Sequence, residues 1–177
     1  MTAALTGADD SSKTLPKDPV LLDQDSQDPR WGEVTFNHAN HADKNYNPDG
    51  KTRTTCVVCH HTDQPKTALK PPDKTADPEN RTVALTADNY SKADTAPVKT
   101  CRSCHLQKGD DSKEIPEVTY PDKEEPTRLT NENAYHINCR ACHDEAIKLR
   151  PDLKPKIGGS GTDATECVKC HKDKNAS

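Results

Sequence analysis

Apolar positions are sparse along this chain and seldom repeat with a helical or strand period. Residues 1–30 are polar and acidic and carry no apolar periodicity, so they are expected to form an extended or mobile arm ahead of a domain spanning 31–177. Residues 34–36, Val34-Thr-Phe36, predict a short strand. Asn47-Pro-Asp-Gly50 reads as a turn, since Asn, Pro, Asp and Gly each favour turn geometry. Residues 62–100 are rich in Pro, Lys, Thr and Asp and predict a loop, with 83–85 able to pair briefly in a hairpin. Over 106–130, Pro116, Pro121 and Pro126 oppose helix because proline lacks the N–H that a helix interior needs. The clearest helix covers about 140–149. Asp144 and Glu145 lie early in it, Lys148 and Arg150 late, and Pro151 stops it. Gly158-Gly-Ser-Gly161 predicts a flexible connector.

Composition turns this weak patterning into a problem. Apolar residues make up 30% of the 177 positions, against roughly 45–50% in ordinary domains when glycine is included. Leu, Ile, Val and Phe together number 23 of 177, which is in the range of disordered chains. Such a chain cannot bury enough of its own side-chain surface to offset the entropy of ordering it. Either it stays unfolded or something other than side chains fills its core. The formal charge is −4, from 25 Lys+Arg and 29 Asp+Glu, with the two signs mixed. That balance leaves no nucleic-acid footprint. No apolar run approaches the roughly 20 residues of a membrane span. The first ten residues lack the apolar stretch of a secretory leader.

The eight cysteines decide the matter. They form four pairs, each spaced by two residues and each followed at once by histidine: Cys56-Val-Val-Cys59-His60, Cys101-Arg-Ser-Cys104-His105, Cys139-Arg-Ala-Cys142-His143 and Cys167-Val-Lys-Cys170-His171. C-x-x-C-H is the attachment signature of haem c. Two thiols add to the two vinyl groups on one porphyrin edge, and the next residue turns its imidazole onto the iron. A four-cysteine zinc site needs no histidine after each pair. A thioredoxin-like pair needs a βαβ setting that this chain lacks. Four motifs that use every cysteine therefore predict four haem c groups.

Four histidines remain: His38, His41, His61 and His136. Four proximal and four further histidines give two per iron. Met1 is the only methionine, so internal Met ligation is excluded, while Lys, Tyr or water stays open at any one iron. His38 and His41 lie just ahead of the first motif, and His136 is three residues before Cys139. His61 directly follows His60, cannot easily reach the same iron from the opposite face, and is expected to serve another haem. Met/His ligation raises haem potential, so its absence predicts low potentials. With both axial positions filled, no iron is left open for catalysis, and the chain is read as a carrier rather than an enzyme. Trp31 and Phe36 are expected to pack ordinarily, either on a haem face or at the core edge. Asp23, Asp25 and Asp28 read as a solvated acidic run rather than a calcium site. Lys169, Lys172 and Lys174 read as a solvated face, with docking of an acidic partner as the alternative.

The segment Phe36-x-His38-x-x-His41, the doubled Cys59-His60-His61 and His136 ahead of the third motif resemble the class III c-type cytochromes, the tetrahaem cytochrome c3 family. The resemblance covers about residues 34–171. It implies pairing of His38 with His60, His61 with His105, His41 with His143, and His136 with His171. Members of that family often have a longer gap between the cysteines of the second and fourth motifs; here all four gaps are two residues. The stretches 62–100 and 106–135 look expanded.

The expected fold is a multihaem cytochrome c: mostly irregular coil, with a few short helices and a minimal β-hairpin, wrapped around four covalent haems that act as the core. The expected function is low-potential electron transfer between redox partner proteins. The alternative is an electron-conducting subunit of a cytochrome filament or larger redox complex formed by self-association. Reductase activity would require one of His38, His41, His61 or His136 to be free. Haem attachment to C-x-x-C-H normally follows export, so the expected location is periplasmic or extracellular, although no signal peptide is visible.

Overall fold

A computed structural model describes residues 15–24, 26, 28–60, 86–91, 98, 100–103, 105–107, 115, 117–119, 124–161 and 163–176. It divides into two units, one built on Thr55–Ile137 and the other joining Leu15–Thr54 to Asn138–Ser177. His61, Cys104 and the hairpin expected at 83–85 lie outside the described residues.

In the second unit, strand β1 (Val20–Leu22) pairs antiparallel with β2 (Trp31–Phe36), which pairs antiparallel with β5 (His171–Asp173). The short strand expected at 34–36 is thus the end of a six-residue strand. Residues 20–22, within the stretch expected as an arm, are held on it in the register Val20↔Phe36 and Leu22↔Val34. Between β2 and β5 the register slips between the pairs Trp31↔Asp173 and Val34↔His171. The extra residue on β2 is a β-bulge, a device that bends a strand and re-aims what it carries. Arg30 closes this edge by pairing with Asp173 at 3.3 Å and lying over the Trp31 ring, 4.4 Å from its centroid.

Helix α1 (His38–Asp43) follows β2 directly. Asn37 caps it with its side-chain oxygen on the Asn40 N–H at 2.8 Å. The Asp18 carboxylate accepts from the backbone N–H groups of His38 and Ala39, satisfying donors that have no partner inside the helix and placing negative charge at its positive end. The turn at residues 47–50 is present, with the Gly50 N–H on the Asn47 carbonyl at 2.7 Å and Gly50 at φ +71°. Glycine is suited to that left-handed conformation. A Cβ there would also meet Arg150, whose Nε donates to the Pro48 carbonyl at 3.0 Å.

In the first unit, α2 (Cys56–Cys59), the 3₁₀ turn Cys101–Ser103 and the two-residue ladder β3 (Glu117–Val118) with β4 (Thr127–Arg128) precede the long helix α3 (Asn131–Leu149). α3 continues into the second unit, where Pro151–Leu153 (3₁₀) and α4 (Ala164–Cys167) follow. The helix expected at 140–149 therefore starts nine residues earlier, at Asn131. Thr130 caps it, its hydroxyl accepting from the Asn133 N–H at 3.3 Å. Few apolar side chains are packed away: among the described residues only Tyr90, Ile115 and Ala146 are buried hydrophobics. Tyr90 packs against Cys56 and Val98. Among the described residues no helix is long and apolar enough to cross a membrane.

Candidate haem-binding sites

Each described motif sits on a tight helical turn, for a local reason. In the first motif, α2 brings Cys56 and Cys59 onto one face, since residues three apart are neighbours on a helix. The next N–H, that of His60, bonds back to the Cys56 carbonyl at 2.8 Å. The second motif repeats this bond, His105 N–H to Cys101 carbonyl at 2.8 Å. The third motif lies inside α3. The fourth begins in α4, which Asp163 caps by accepting from the backbone N–H groups of Thr165 and Glu166, and it ends with His171 opening β5. Cysteine pairs one turn apart with a histidine at the turn's end are what a covalently held porphyrin requires.

The imidazoles carry a second regularity. His105 Nδ1 lies 2.7 Å from the Leu129 carbonyl, His143 Nδ1 2.7 Å from the Gly158 carbonyl, and His171 Nδ1 2.9 Å from the Gly32 carbonyl. His41 Nδ1 lies 2.8 Å from the Asn37 carbonyl. A carbonyl can only accept, so in each of these bonds Nδ1 is the donor. Histidines that ligate metals characteristically donate their other ring N–H in this way. The acceptors come from different elements: the approach to α3, the connector after α3, the β2 bulge and the cap of α1. The bulge thus presents the Gly32 carbonyl to His171.

His38 and His41 are one turn apart on α1. Phe36 packs against both, its ring centroid 4.5 Å from that of His41 and 6.1 Å from that of His38. Tyr46 meets the His41 ring edge-on at 5.3 Å. Burial holds the His41 pKa below the ordinary histidine range, and the nearby charge of His143 pushes the same way, against the Asn37 carbonyl and Asp18. A neutral imidazole is the form that binds iron. Trp31 lies against His171 with centroids 6.5 Å apart. On α3, His136 and His143 are seven residues apart, about 10 Å along the axis.

Among the described residues no three His, Cys, Asp or Glu side chains form a metal-binding group. The residues fit haem c: cysteines sit on helical turns, and the imidazoles donate through Nδ1 as metal-ligating histidines do.

The lysines around the fourth motif are engaged within the chain. Lys169 Nζ binds Glu166 at 2.6 Å, Lys172 lies 3.7 Å from Glu33, and Lys174 Nζ donates to the Ser26 and Asp28 carbonyls at 3.1 and 2.7 Å. Lys172 and Lys174 are exposed, as expected of a solvated face, even while they hold these partners; Lys169 is half-buried. The connector at 158–161, expected to be flexible, is likewise tied down: the Gly159 N–H bonds Glu166 at 3.2 Å, and Ser160 bonds Asp144 through both its N–H and its hydroxyl.

Three carboxylates in this unit are held below their ordinary range. Asp28 accepts backbone N–H groups from Trp31 and Arg30. Asp163 accepts the Thr165 hydroxyl and then the Glu166 N–H, and Glu166 accepts Lys169 and then Gly159. A carboxylate with a lowered folded pKa stabilises the fold above its unfolded value, and that stabilisation is lost as pH falls through the folded value. The thermal midpoint of the holoprotein is therefore expected to fall as pH drops from 7 to about 3. A midpoint that holds or rises over that interval would contradict the assignment.

Paired thiols on helical turns and carbonyl-tied imidazoles are the features of a c-type cytochrome. The family model of the class III cytochrome c family matches residues 16–122, more than half of the chain. The protein belongs to that family, whose members bind haem c and transfer electrons. No curated protein and no solved structure matches the chain. The matched span holds the first two motifs with His38, His41 and His61, and ends before the third and fourth.

Proposed function

We infer that this chain carries four haem c groups, each iron held between two histidines, and works as a low-potential electron-transfer protein. Cys56, Cys59, Cys101, Cys104, Cys139, Cys142, Cys167 and Cys170 form the thioether links. His60, His105, His143 and His171 are the proximal ligands, and His38, His41, His61 and His136 the distal ones. The observation that carries the reading is the Nδ1-to-carbonyl bond of His105, His143, His171 and His41.

Haem supplies one-electron chemistry at iron; the chain binds it, orients its ligands and tunes its potential. A backbone carbonyl on Nδ1 fixes the ring's direction and strengthens donation from Nε2. Stronger donation favours the ferric state and so a low potential, in line with the lack of an internal methionine ligand. His41 and His143 lie in the same unit, and the charge of His143 acts on His41, which supports their pairing on one centre. Partners in this reading are redox proteins that give and take single electrons, and the location is outside the cytoplasmic membrane, where thioether attachment normally takes place.

Mass spectrometry of the denatured holoprotein tests the count, with four covalently retained haems expected. The oxidised protein is expected to show only low-spin signals in electron paramagnetic resonance. A mass equal to the bare polypeptide, or a dominant high-spin signal, would overturn the reading.

A further inference from the structure

The carbonyl that receives the His143 ring proton is aimed by residues of the next motif. Gly158 is buried, and a Cβ on it would meet Cys170 Sγ at 3.1 Å and the Glu166 carbonyl at 3.2 Å. The backbone there lies against the fourth motif, and a side chain would crowd both neighbours. The following N–H, that of Gly159, donates to Glu166 Oε2 at 3.2 Å. The other oxygen of the same carboxylate takes Lys169 Nζ at 2.6 Å, and Lys169 also donates to the Lys154 carbonyl at 2.8 Å. On the opposite side, Ser160 is anchored on Asp144, the residue after His143. The Glu166 and Lys169 side chains are only 16% and 18% exposed. This pair is therefore not one of the solvated surface pairs that typically contribute little.

We propose that Glu166 is a positioning residue for the third-motif haem: by holding residues 158–160 it keeps the Gly158 carbonyl on His143 Nδ1, and so sets the reduction potential of that centre from within the fourth motif. This rests on the haem reading given above. Reduction adds one electron from a redox partner and breaks no bond to His143. What changes is how strongly Nε2 donates, and a lost acceptor at Nδ1 weakens that donation. The ferric form loses more by this than the ferrous form, so the potential rises.

The test uses holoprotein and two readouts: haem-resolved NMR redox titration, and solvent exchange of the His143 Nδ1 proton. Glu166→Ala is expected to move the third-motif midpoint upward, leave the other three centres in place, and speed exchange of that proton. Glu166→Gln keeps an oxygen for the Gly159 N–H, and is expected to keep slow exchange and shift the midpoint less. Equal shifts in both variants with unchanged exchange would mean that the carboxylate acts by charge alone, and would overturn the proposal. So would a uniform shift of all four centres, or none. If Glu166→Ala does not mature, Glu166→Asp keeps the charge but draws the carboxylate back from the Gly159 N–H. Faster His143 exchange is then expected, and unchanged exchange would overturn the proposal. Wild-type protein without covalent haem would instead sink the underlying haem reading.

Discussion

Chain produced without haem attachment is expected to be unfolded, with a coil-like circular dichroism spectrum and no cooperative thermal transition. The described residues bury only three apolar side chains, Tyr90, Ile115 and Ala146, each contributing about 1.5–3 kcal/mol at most. The strands run from two to six residues. α3 is the one long helix among the described residues, and it carries Asn131, Asn133, His136, Asn138 and His143, residue types of modest helix propensity. A helix in a protein draws most of its stability from the surface it packs on. Four haem plates, attached through eight cysteines and eight histidines, would supply that surface and cross-link the chain at the same time. A haem-free chain that melts cooperatively near the holoprotein's midpoint would show that polypeptide packing alone suffices.

Removing His41 is expected to have the largest effect on a single centre. Its ring is clasped by Phe36 and Tyr46, tied at Nδ1 to the Asn37 carbonyl, and kept neutral by burial. His41→Ala should open one iron, so that the reduced protein binds one carbon monoxide per chain where the wild type binds none. His41→Met should raise one midpoint by a sizeable share of the roughly 0.8 V over which axial ligands set haem potentials, because thioether sulfur favours the ferrous state. Carbon monoxide titration and voltammetry read the two effects. If neither variant changes its readout, His41 is not a ligand, and the pairing with His143 falls with it.

The candidate site was far more legible in the sequence than the fold. C-x-x-C-H is a local code: each motif's chemistry fits within five residues, so Cys56 and His60 could be recognised without knowing what surrounds them. The turn at 47–50 was equally local. The acceptors were not. Nothing about Gly32, Leu129 or Gly158 announces a carbonyl aimed at an imidazole, because that role depends on a β-bulge, a helix approach and a buried connector formed by distant segments. The start of α3 at Asn131 escaped notice because apolar periodicity marks a helix that packs on side chains, and this one buries just Ala146 among its apolar residues. The cap at Thr130, with Glu132 in the first turn, was the available signal. Glycine-rich residues 158–161 looked flexible by composition; here the missing side chains allow close approach rather than motion. The exposed faces of Lys172 and Lys174 were legible, but their partners Glu33, Ser26 and Asp28 were not, since these lie well over a hundred residues earlier.

The sheet that joins β1 and β2 to β5 has a consequence for biosynthesis. The Gly32 carbonyl emerges from the ribosome long before His171, which needs it. Until the last strand is translated, the early strand pair has an open edge, and an open edge invites pairing with another chain. A chain cut short before residue 171 would leave β2 without its final neighbour.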